Sequence, residues 1–154
     1  MRCIPLLASV GICIAGAARA APVAPTSLAW YNISAYVTAE TGGCQTVGET
    51  YNGELQFIGS GKPGSKLLLE TPNSSGPGNP DVVALTLPGM PTTNGGQSSG
   101  KYTGVSLPSG TPLTGMIGIT IAWGTANAFF IVANTTTGNS CTATIGMTAI
   151  HSGK

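Results

Sequence analysis

Gly115-Met-Ile-Gly-Ile-Thr-Ile-Ala-Trp123, Ala128-Phe-Phe-Ile-Val-Ala133 and Cys141-Thr-Ala-Thr-Ile-Gly-Met-Thr-Ala-Ile150 decide the fold class of this chain. The first run puts Ile117, Ile119, Ile121 and Trp123 on one side. The third puts Cys141, Ala143, Ile145, Met147 and Ala149 on one side, with threonines opposite. Period-two alternation of this kind means a strand with one buried and one wetter face. Between the runs lie Gly124-Thr-Ala-Asn127 and Thr137-Gly-Asn139, which hold the Gly and Asn that tight turns require. The C-terminal third therefore reads as an antiparallel meander. Its middle strand is apolar on both faces, Phe129 and Ile131 on one and Phe130 and Val132 on the other. Either pair could be the inward one, and a loop or a partner could cover the other.

Working back toward the N-terminus, further strand-like runs are Leu28 to Thr38, Glu54 to Ile58, Lys66 to Glu70, Asp81 to Leu87 and Lys101 to Leu107. Asn52-Gly53 reads as a hairpin turn, and Thr41-Gly42-Gly43 as a turn before Cys44. Residues 72–80 and the stretch from Pro88 to Gly100 read as loops. Good helix formers are scarce and no 3.6-residue apolar period is sustained. The expected fold is all-β: a single-domain antiparallel barrel or sandwich of about eight strands, with an up-and-down meander favoured. Closing a barrel would also remove the exposed strand edges that invite aggregation.

At the other end, Arg2 precedes an apolar run from Ile4 to Ala18, and Ala18-Arg19-Ala20 is a small-residue cleavage signal. The run is too short for a membrane span, which needs roughly 20 apolar residues. Residues 1–20 thus read as a secretory signal peptide and 21–154 as a single exported β-domain, secreted or periplasmic after cleavage near Ala20. Cys13 falls too early in the apolar run for a lipoprotein site. No later run is apolar for long enough to form a membrane helix.

The remaining domain has Lys62, Lys66, Lys101 and Lys154 against Glu40, Glu49, Glu54, Glu70 and Asp81, and no arginine. Without a basic stripe it is not built to replace phosphate counterions, which argues against nucleic acid. Cys44 and Cys141 are its two cysteines, and in an exported chain they are expected to pair. Such a bridge would stabilise by about 4–5 kcal/mol in the chain-entropy model. Two distant cysteines and one histidine make a poor metal set, so neither a metal nor a cofactor is expected.

Gly59-Ser60-Gly61-Lys62 has the look of a phosphate loop, but Pro63 stands where Ser or Thr is needed and strands flank it. His151, the sole histidine, lies three residues from the end of the sequence, where chains fray. Asn32, Asn73 and Asn134 each begin an Asn-x-Ser/Thr sequon. The face formed by Leu28, Trp30, Asn32, Ser34 and Tyr36 mixes aromatic rings with polar groups. That is how a ligand-lined surface looks, and also how a half-exposed strand looks. Trp30, Asn32 and Tyr36 are the candidate ligand-binding residues.

Trp30-Tyr31-Asn32 resembles the opening strand of the avidin-type biotin barrels, and Ile119-Thr-Ile-Ala-Trp123 resembles a later strand of that family. The resemblance implies a barrel, and it implies that Asn32 would help bind a ligand's urea oxygen. The further tryptophans that wall the family's pocket are missing, since Trp30 and Trp123 are the 2 present.

The sequence points to a non-enzymatic exported domain that binds a small apolar or amphipathic ligand or another envelope protein, or has a structural role there. The alternative is a secreted hydrolase that uses two carboxylates as acid and base. No spacing among the acids selects a pair, and Glu54 and Glu70 are expected to face water.

Overall fold

The computed structural model describes residues 20–43, 45–59, 61–70, 82–107, 109–125, 127–137 and 141–154. All regular structure among them is strand: β1 (Trp30–Thr41), β2 (Thr50–Gln56), β3 (Lys66–Glu70), β4 (Val82–Thr86), β5 (Gln97–Leu107), β6 (Thr111–Trp123), β7 (Ala128–Thr137) and β8 (Cys141–His151). Each pairs antiparallel with the next, and β8 pairs back onto β1 to close one up-and-down barrel. Among the described residues no helix is long and apolar enough to cross a membrane.

The alternation read in the sequence decides what lies inside. Ile117, Ile119 and Ile121 of β6 are buried, as are Ile145 and Met147 of β8, and Trp123 packs partly buried against them. In β7 the register sets Phe129 opposite Trp123 and Ala149, and Ile131 opposite Ile121 and Met147. Directly opposite residues share a face, so Phe129 and Ile131 turn inward. Phe130 and Val132 are left outside, 50% and 46% exposed. The β6–β7 turn falls at Gly124 to Asn127, where Asn127 takes the left-handed φ of 57° that Asn tolerates.

Asn52-Gly53 is not a hairpin. Both residues lie within β2, where Asn52 pairs with Ser34 and Glu70, and Gly53 with Ile33 and Leu69. A Cβ on Gly53 would stand 1.8 Å from the Leu68 carbonyl oxygen. Glycine is needed there for close strand approach rather than for a turn. The chain reverses earlier, at Gly42 and Gly43, with φ of 97° and 75°. The first strand also begins later than Leu28, which sits at φ 66°, 65% exposed.

The stretch from Pro88 is a loop only as far as Gly96. β5 begins at Gln97, which pairs with Thr120. The loop is also less polar in role than its composition suggests, because Met90 is buried in the core. His151 does not fray. It ends β8 opposite Tyr31, its ring edge-on to the Tyr31 ring at 5.3 Å, and its Nδ1 accepts from the Gly153 N–H at 3.1 Å. Residues 72–80, Cys44, Asn73, Asp81 and the turn at 138–140 lie outside the described residues.

Candidate functional site at the barrel mouth

The strand directions give the barrel two ends. One holds the β2–β3, β4–β5 and β6–β7 connections; the other holds the start of β2, β4, β6 and β8. The first end is closed. Tyr31, Phe57 and Phe129 meet edge to face, with ring centroids 4.7 Å apart for Tyr31–Phe129 and 5.5 Å for Phe57–Phe129. The N-terminal segment lies across this floor: the Thr26 N–H donates to the Tyr31 hydroxyl at 2.7 Å, and the Val23 N–H to the Gly124 carbonyl at 3.0 Å. A crevice of about 190 Å³ under that segment, lined by Pro25, Phe57, Pro91 and Trp123 among others, borders the floor at Phe57. Above the floor, Leu55, Leu67, Met90, Ile119, Ile131 and Met147 form an aliphatic layer with no room for a water molecule.

Beyond that layer the interior opens. A cavity of about 220 Å³ lies among Leu69, Leu85, Leu113, Ile117 and Ile145, with Tyr51, Tyr102, Thr135, Thr137 and Gln45 completing its wall. Tyr102 and Thr137 share a hydrogen bond of 3.0 Å between their hydroxyls. Tyr102 can lie against the wall because the residue across from it is Gly115. A Cβ there would come within 2.3 Å of the Thr136 carbonyl oxygen and 2.6 Å of the Tyr102 hydroxyl.

Tyr51 donates to Glu49 Oε2 at 2.7 Å and approaches Gln45 Oε1 at 3.3 Å. A phenol has one proton, and the shorter contact takes it. Burial first, then that hydrogen bond and the Glu49 charge, push the Tyr51 phenol well above its ordinary value of 10.0. A β-bulge between Val37 and Ala39 shifts the β1 register so that Glu40 lies opposite the buried Ala143. Glu40 is thereby turned to the inner side of the rim, where its Oε1 accepts from the Gly43 N–H.

The residues singled out in the sequence lie elsewhere. Trp30, Asn32 and Tyr36 are on the outer face of β1, because Tyr31, Ile33, Ala35 and Val37 take its inward positions. Asn32, which the biotin-barrel resemblance would send to a ligand, is exposed on that outer face. Trp30 borders a shallow external groove over β3, β4 and β5. Tyr36, 51% exposed, lies over Gly146, where an added Cβ would stand 3.0 Å from its ring. Glu54 faces outward and pairs with Lys154 at 2.9 Å, and Glu70 is exposed. No group of three or more His, Cys, Asp or Glu among the described residues could hold a metal ion.

Sequence reading missed Tyr51 and Tyr102 as site residues. Tyr51 shares its strand face with Leu55, a signal that reading Asn52-Gly53 as a turn hides. Comparisons with protein-family models, with curated proteins and with solved structures each found no match.

Proposed function

We propose that this chain is an exported, non-enzymatic binding protein that holds a small, largely apolar ligand in the mouth of its barrel. The observation that carries this reading is the cavity of about 220 Å³ above a solid interior layer. Ligand sites are concave and mostly apolar, with a few placed polar groups. Aliphatic walls topped by two phenols and two threonine hydroxyls have that composition. Fluorescence titration with 2-naphthol tests it, comparing the native protein with Leu113→Trp, whose larger side chain fills the cavity. Saturable binding that the variant loses while keeping its melting temperature is expected. Equal affinity in both proteins would contradict the site.

Export rests on the leader-like sequence to Ala20, and the bridge between Cys44 and Cys141 follows from it. The register favours the pairing: Thr41 lies opposite Thr142, their hydroxyls 2.5 Å apart, so the end of β1 meets the start of β8, where Cys141 stands. Mass spectrometry of exported material should find an N-terminus at or near Ala21, and alkylation without reduction should label neither cysteine. A retained leader or two labelled thiols would overturn these two points.

A second reading, contact with another envelope protein, is favoured by the outer surface of β1, β7 and β8. Val132 lies opposite Gly146, which Tyr36 covers, and Phe130 and Ile150 flank this row half-exposed.

A further inference from the structure

Lysines are unevenly spread over the barrel, and Glu54 pairs with Lys154 toward the closed end. Among the described residues the cationic side chains are Lys62, Lys66, Lys101 and Lys154. Lys62 lies in the β2–β3 connection, Lys66 opens β3 and Lys154 follows β8, all at the closed end. Lys101 is exposed on the outside of β5, between inward Gly100 and Tyr102. Among the described residues the mouth has no lysine. It carries Glu49, bound to the cavity-lining Tyr51, and Glu40, turned inward by the bulge. Glu70 ends β3 at the same rim.

The cavity also limits length. The filled layer of Leu55, Leu67, Ile119 and Met147 lies directly below it and shares Ile117 with it. An apolar cavity of about 150 Å³ accommodates benzene. The space of about 220 Å³ therefore suits one ring and a short arm, and a long acyl chain would have to displace the core.

We propose that the mouth cavity takes a compact arylalkyl ammonium ion, its ring among Leu85, Leu113, Ile117 and Ile145 and its ammonium at the rim facing Glu49 and Glu40. This deepens the binding reading above and rests on it. A carboxylate ligand of the same shape would bring a second negative charge to a rim with no cation to pair it. A neutral alcohol would gain the apolar contact alone. The Tyr51 and Tyr102 rings line the same cavity, and an aromatic face within reach of a cation adds a favourable electrostatic contact.

Competition against bound 2-naphthol at low salt and pH 7 tests the proposal with three ligands of similar apolar body: 2-phenylethylamine, 2-phenylethanol and phenylacetate. The amine is expected to compete at concentrations at least about tenfold below phenylacetate, with the alcohol between them, and to lose part of its advantage as salt rises. Glu49→Gln keeps an acceptor for Tyr51 while removing the charge. It is expected to reduce the ratio of amine to alcohol affinity several-fold. Phenylacetate competing as well as the amine, or an unchanged ratio in Glu49→Gln, would overturn the proposal. If 2-naphthol binds and none of the three displaces it, the ammonium proposal falls and the cavity reading stands. If 2-naphthol itself does not bind, both fall.

Discussion

The closed end and the mouth of this barrel are made by the same eight strands, yet they are built from different chemistry. At the closed end the rings of Tyr31, Phe57 and Phe129 satisfy one another edge to face, and the N-terminal segment caps them. At the mouth the rings are Tyr51 and Tyr102, whose hydroxyls are held by Glu49 and Thr137. The first arrangement packs ring against ring, with the crevice under the N-terminal segment on its outer side. The second leaves space and keeps polar groups beside it. An alternating strand pattern can thus fill one half of a barrel and leave the other half open, depending on which residues occupy the inward positions of each layer.

The largest effect should come from breaking the closed end. Phe129→Ala removes a ring that is 1% exposed and touches both Tyr31 and Phe57. Urea denaturation should show a loss of about 3–5 kcal/mol. Ile119→Ala or Ile121→Ala should cost about 2–5 kcal/mol. Unchanged melting temperatures in all three variants would refute the packed interior.

At the mouth the costs should be smaller and the shape changes larger. Gly115→Ala puts a methyl against the Thr136 carbonyl and the Tyr102 hydroxyl. It should destabilise by about 1–3 kcal/mol, the usual cost of overpacking, and should also displace Tyr102 and weaken 2-naphthol. Leu113→Ala, at a half-buried rim position, should cost only about 1 kcal/mol. If Leu113→Ala proved as damaging as Phe129→Ala, the two ends would not differ as described.

How much of this was legible in the sequence follows from the same distinction. The β6–β8 meander could be read because Ile117, Ile119 and Ile121 alternate with small or polar residues, and because its first turn carries Gly124 and Asn127. The inward face of β7 could not be read, since Phe129 and Phe130 are equally apolar and only the register to β6 and β8 separates them. Gly53 misled because a glycine that permits close strand approach looks the same as one that permits a turn. Met90 was hidden in a loop of polar composition. The mouth was not legible because its wall gathers residues from strands far apart in sequence, from Tyr51 to Ile145. The aromatic and polar face of Trp30, Asn32 and Tyr36 also fits an ordinary half-exposed strand, and the outer surface is where it lies.

A subtler effect separates the ends by pH. The Tyr51 phenol is held above its ordinary value of 10.0 in the folded chain. As pH rises past that value, the unfolded chain loses this proton while the folded chain keeps it, so the group favours unfolding increasingly at alkaline pH. The melting temperature should fall as pH rises above 10, and Tyr51→Phe should remove part of that fall. An identical alkaline profile in the variant would contradict the placement of Tyr51 beside Glu49.

The central claim is that the interior of this barrel opens at the mouth and is filled toward the other end. Amide and methyl chemical-shift mapping with 2-naphthol tests it most directly. The expected result is saturable shifts at Tyr51, Leu85, Tyr102, Leu113, Ile117 and Thr135, with none at Phe57 or Phe129. Shifts centred on the closed-end rings, or on the outer residues Trp30, Asn32 and Tyr36, would contradict the account.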